Sequence, residues 1–168
     1  MKLAAKMILV LFFSVIVPPA QACSFAPIEQ TKPKRQLVAD ANQIAWARAL
    51  APHNPLTSLG ALGEPVRFRV IEVLKGQVPE IFSLENGQYA TAETEKWLIG
   101  DDFDGHRAGN FLATHKGRVV NDSDCEIRPV FVAGEHYLIF IDHPHWAAYE
   151  IVRSRQDRWF DYVRGQIR

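Results

Sequence analysis

Charge of one sign is missing from this chain. Its 168 residues hold 19 Lys and Arg against 19 Asp and Glu, a formal net charge of zero. A protein that grips nucleic acid normally carries a basic excess or stripe, and neither is visible along the sequence. Cysteine is scarce, with Cys23 and Cys125 the only two. That excludes a multi-bridge scaffold and any Cys-x-x-Cys metal or redox motif. Beyond the N-terminus no apolar run approaches the roughly 20 residues that span a bilayer. His-Glu-x-x-His, Gly-x-Ser-x-Gly and a phosphate-cradling glycine loop are absent as well. No residue therefore qualifies from the sequence as catalytic, as a metal ligand or as a cofactor anchor.

What is present begins with an export signal. Lys2 and Lys6 precede an apolar run from Met7 to Val17, which is followed by Pro18-Pro19-Ala20-Gln21-Ala22. A basic start, a short apolar core and a small-x-small end read as a secretory signal peptide over residues 1–22. Cleavage after Ala22 would make Cys23 the first mature residue, in the periplasm or outside the cell. In an oxidising compartment Cys125 is its natural partner. Such a bridge would close a loop of about 100 residues, worth roughly 4–5 kcal/mol on the chain-entropy account. Lipidation of Cys23 is the competing fate, since both would consume the same sulfur. Ala20-Gln21-Ala22 is a poor match to a lipobox, lacking Leu at its first place.

Residues 23–168 suffice for one domain with a real core. Thr31 to Ala41 reads as a short amphipathic helix, with Pro33 in the first turn and Leu37, Val38 and Ala41 on one side. Gln43–Leu50, Pro65–Lys75, Ile81–Glu85, Glu135–Asp142 and Ala148–Val152 read as strands. The second of these changes phase. Val66, Phe68 and Val70 share one face, then the apolar set slips to Ile71 and Val73. A slip of this kind predicts a bulge or a sharp bend, which a small closed barrel needs. Asn86-Gly87 is a strong turn signal. Residues at about 88–120 form a long excursion. Ser154 to Ile167 reads as a C-terminal helix, with Ser154 and Asp157 in a capping-box pattern and Trp159, Val163 and Ile167 four apart. The fold class expected is mainly β, a sandwich or small barrel with a short helix at each end.

These blocks resemble a known family. Cys23-Ser24-Phe25-Ala26-Pro27 resembles the mature start of tissue inhibitors of metalloproteinases (TIMPs) and of bacterial TIMP-like or netrin-like exported proteins. Phe68-Arg69-Val70-Ile71-Glu72-Val73-Leu74-Lys75-Gly76 is similar to a strand of the bacterial members. Cys125, Phe131 and Gly134-Glu135-His136-Tyr137-Leu138-Ile139-Phe140 resemble a later block. The resemblance covers residues 23–85 and 124–164. It implies an OB-type small β-barrel, with the N-terminal arm bridged to the body. Phe25 stands where the family has its second cysteine, so one bridge rather than two would hold that arm. In the family the amino group and carbonyl of the first cysteine chelate a protease zinc ion. A metalloproteinase is thus one partner the resemblance implies.

Candidate chemistry is thin. Asp101, Asp102, Asp104 and Gly105 miss EF-hand spacing, because Phe111 falls where the final glutamate belongs. His143-Pro144-His145 is no preformed metal pair, given the proline and the turn. His106 and His115 lie in the excursion, and His136 lies in a strand where a hydrogen-bonded structural role is expected. Trp46, Trp97 and Trp146 could stack on a ligand, though core packing explains tryptophan equally well. The expectation is an exported, non-enzymatic binding module for an unidentified protein or small ligand, monomeric by default. Cys23, Ser24, Trp97 and Trp146 are its candidate contacts. A metalloproteinase inhibitor acting through Cys23, and a hydrolase with its site at 88–120, are the alternatives.

Overall fold

The computed structural model describes residues 32–54, 64–92, 95, 106–107, 111–113, 129–141, 143, 145 and 147–167. Its elements run in chain order as α1 (Lys34–Asp40), β1 (Ile44–Ala49), β2 (Val66–Lys75), β3 (Ile81–Leu84), β4 (Gln88–Tyr89), a 3-10 turn (Phe111–Ala113), β5 (Val130–Phe131), β6 (His136–Phe140), β7 (Tyr149–Ile151) and α2 (Arg158–Ile167). Five strands form one antiparallel sheet in the order β3-β2-β1-β6-β7. β4 and β5 form a separate parallel pair. The protein is thus mainly β with two described helices, as expected. Among the described residues the sheet is open, with β3 and β7 at its ends. No described helix is long and apolar enough to cross a membrane.

The phase slip in β2 is visible as register. Ala47 lies opposite Val70 but Trp46 lies opposite Glu72, so Ile71 is the extra residue of a bulge. A second shift follows between Ala45–Val73 and Ile44–Lys75. Each extra residue moves the following side chains to the other face and raises the local twist. Gly76, at φ +73°, ends the strand. A β-carbon there would strike the Asn42 carbonyl. Gly76→Ala is expected to cost at least about 1–2 kcal/mol, because it combines a left-handed backbone with that collision. Urea unfolding would measure it.

Both faces of the sheet are covered. On one, Trp46, Leu138 and Glu150 stand in a cross-strand row, and the two helices lie over it. Phe160 of α2 meets the Trp46 ring edge-on at 5.3 Å, and Trp159 stacks on Phe140 at 5.8 Å. From α1, Leu37 and Val38 are buried in the same core. Lys75 Nζ donates to the carbonyls of Val38 and Ala39 at 3.0 Å, satisfying the C-terminal end of that helix. On the other face Phe68, Phe131, Tyr137 and Tyr149 pack edge to face, with Phe131 brought in by β5.

Two expected boundaries move. α1 begins at Lys34, with Pro33 before it and no side-chain cap. α2 begins at Arg158, four residues later than expected. The sequence pattern places Asp157 at the N3 position of a capping box, whereas it is itself the cap: its Oδ1 accepts the Trp159 N–H at 2.8 Å. Two short strands, β4 at the start of the expected excursion and β5, were not foreseen.

Candidate functional site

The polar chemistry of the described core gathers where the excursion meets the sheet and α2. His106, Glu150 and Asp157 are buried together, and Lys34 is buried nearby. Each arrives for a local reason. Glu150 occupies the middle of β7 with Tyr149 and Ile151 on either side, and strand alternation turns it toward the helices while they face the aromatic core. Asp157 stands at the N-terminus of α2, where free backbone N–H groups and the helix dipole favour a carboxylate. Lys34 opens α1. His106 comes from the excursion with φ at +64°, the one described non-glycine residue in left-handed backbone.

The imidazole lies between the two acids. Nδ1–H donates to Asp157, 2.7 Å from Oδ1 and 2.9 Å from Oδ2, and Nε2–H donates to Glu150 Oε2 at 3.3 Å. Burial on its own would lower the pKa of His106. The hydrogen bonds and charges of Asp157 and Glu150 outweigh it and hold the ring at about 9. The ring is therefore an imidazolium at neutral pH. Lys34 Nζ donates to the Phe111 carbonyl at 2.8 Å and sits 4.2 Å above the Phe111 ring. Burial pushes the Lys34 pKa down, and the Glu150 charge offsets part of that. Two cations and two carboxylates thus share one interior. Phe111 also lies 4.2 Å from the His106 ring and 5.8 Å from Trp159. Arg158 Nη1 donates to the Arg107 carbonyl at 2.8 Å.

This arrangement fastens the excursion to three elements at once: β7, the start of α2 and α1. As an imidazolium with both N–H groups donated, His106 has no lone pair with which to act as a base. The two ring nitrogens face different carboxylates, so the three groups do not converge on one point. Among the described residues no group of three or more His, Cys, Asp or Glu side chains suits a metal ion.

Most other residues singled out from the sequence fall elsewhere. Cys23, Ser24, Trp97, Trp146 and Cys125 lie outside the described residues, as do Asp101, Asp102, Asp104, Gly105 and His115. Trp46 is no ligand platform: its ring is in the core and its Nε1–H donates to the Val152 carbonyl at 2.7 Å. His145 is structural. It is fully buried, its Nε2–H donates to the Lys32 carbonyl at 2.6 Å and its Nδ1 accepts the Ala147 N–H at 2.9 Å. Sequence reasoning noted His106 and Asp157 separately and missed both Glu150 and Lys34. The available signal was an acid flanked by Tyr149 and Ile151 in an apolar strand, where a solvated carboxylate does not belong.

Comparison with protein-family models, with curated proteins and with solved structures finds no match for the chain.

Proposed function

We propose that this chain is an exported, non-enzymatic binding module on an OB-type barrel, cut after Ala22 and stapled through Cys23 and Cys125. The observation that carries the non-enzymatic reading is the engagement of both His106 nitrogens by buried carboxylates. The richest polar cluster described is a fastening and not an open cleft. The OB reading draws support from topology. The order β3-β2-β1-β6-β7, with a bulged β2, is compatible with a five-stranded OB barrel. Ile71, Val73 and Ile81 are each more than two-fifths exposed on β2 and β3, apolar side chains that a partner could cover.

A hydrolase is the second reading. The His106–Asp157 pair is the observation that favours it, because such a pair orients a general base. Glu150 on the second nitrogen weighs against it. Purified exported protein, assayed on ester, phosphoester, glycoside and peptide substrates beside His106→Asn, separates the two. Turnover by the wild type that the substitution abolishes, in a variant that circular dichroism shows to be folded, would establish the hydrolase. Absence of turnover, with an intact mass showing cleavage at Cys23 and the ~2 Da loss of one bridge, supports the module. Thiols that alkylate without reductant, or an acyl group on Cys23, would refute the staple. If the partner is a metalloproteinase, inhibition runs through the amino group of Cys23, and one alanine added before it abolishes inhibition.

A further inference from the structure

We propose that the helix-bearing face of the sheet ends, beyond Trp46, in a binding site for a phosphate-like oxyanion, formed by Arg48, Arg67 and Arg69. The inference deepens the binding-module reading and rests on it. The site is invisible along the sequence and is assembled by strand register. Ile81, Arg69, Arg48 and His136 lie directly opposite one another across β3, β2, β1 and β6. Side chains directly opposite share a face, with β-carbons about 5 Å apart. Arg67 lies two residues before Arg69 on β2 and so points the same way. Its cross-strand neighbour on β3 is Ser83, whose hydroxyl adds a donor to that face.

Three guanidinium groups therefore rise from adjacent positions on one face. Opposed like charges destabilise a sheet unless something neutralises them. Three of the nearby carboxylates are otherwise engaged. Glu135 binds Arg153 at 2.9 and 3.1 Å. Glu72 binds Arg155 at 2.8 Å. Glu64 accepts the backbone N–H groups of His53 and Asn54. Arg48 and Arg69 are exposed. Arg48 donates from Nε to the Gly134 carbonyl at 3.0 Å, which fixes the position of its guanidinium. Arg67 Nε is buried and has no hydrogen-bond partner among the described residues. A half-buried guanidinium whose Nε has no acceptor, beside two further arginines, would be satisfied by an anion with several oxygens. Arginine's planar fork matches phosphate geometry, and three of them suit a multiply charged group.

The oxyanion could be free in solution or borne by a lipid headgroup. Titration calorimetry with inorganic pyrophosphate, and flotation with phosphatidylglycerol or phosphatidylcholine vesicles, distinguish the two. Arg69→Gln changes an exposed side chain and leaves the core alone. Arg155→Gln removes an arginine already paired with Glu72 and serves as the control. Saturable pyrophosphate binding, weakened about tenfold or more by Arg69→Gln and unchanged by Arg155→Gln, supports a site for a free oxyanion. Arg69-dependent flotation with phosphatidylglycerol but not phosphatidylcholine assigns the oxyanion to a headgroup. Binding of neither probe, or equal loss in both variants, overturns the site. That failure leaves the module reading standing, because the reading is tested by intact mass and turnover. Turnover by the wild type overturns the module reading whatever pyrophosphate does.

Discussion

His106→Asn is expected to lower the free energy of unfolding by about 3–5 kcal/mol, the cost of removing one partner from a buried ionic group. Asparagine tolerates left-handed backbone, so the φ of +64° at this position adds little to the loss. What remains is Glu150 and Asp157 in one interior without the cation that separates them, with Lys34 alone to offset two charges. Urea denaturation at pH 7 measures the change through the midpoint at unchanged slope. A second variant isolates the cause. Adding Glu150→Gln and Asp157→Asn to His106→Asn removes the uncompensated charges and should recover much of the stability. A loss below about 1 kcal/mol in the single variant would mean that the cluster is too well solvated to act as a fastening.

Raising the pH should do reversibly what that substitution does permanently. The pKa of His106 is raised in the folded protein, from an ordinary 6.5 to about 9. Below about 6.5 the ring is protonated both folded and unfolded, and the stabilisation is fully present. Between 6.5 and about 9 only the folded state keeps the proton, so each step upward in pH draws stability down. Above about 9 the folded state releases it too and the contribution is gone. At about 1.4 kcal/mol per pH unit the whole descent is about 3 kcal/mol. Lys34 acts with the opposite sign. Its pKa is lowered by burial, so stability is regained as pH rises through its folded value toward 10.5. The descent is therefore read between pH 6.5 and 9, as the difference between wild type and His106→Asn. Parallel curves for the two proteins over that window would sink the assignment of the ring as a buried cation.

Much of the fold was legible because it is written in short-range pattern. Alternation in Pro65–Lys75 located β2, and its phase slip located the bulge at Ile71. The apolar spacing of Leu37, Val38 and Ala41 located α1, and all three are buried. The fastening was not legible, since its members are separated by up to 123 positions, from Lys34 to Asp157. Nothing local to Glu150 names His106 as its partner. The arginine face was hidden for the same reason. Arg48 is distant in sequence from Arg67 and Arg69, and only the β1–β2 pairing sets them side by side. A capping pattern misread by three residues had one physical source: Asp157 fits either role in sequence, and its backbone geometry decides between them.

β4 and β5 run parallel, Gln88 beside Val130 and Tyr89 beside Phe131. The chain thus departs and comes home through the same doorway, and its ends are already held together by the Gln88 N–H to Pro129 and the Ala90 N–H to Phe131 bonds. With those roots fixed, doubling the intervening stretch costs only about 0.6 kcal/mol of closure entropy. Insertions into that stretch, placed away from its anchorage at His106 and Phe111 and away from Cys125, are expected to leave the pairing of β4 with β5 in place.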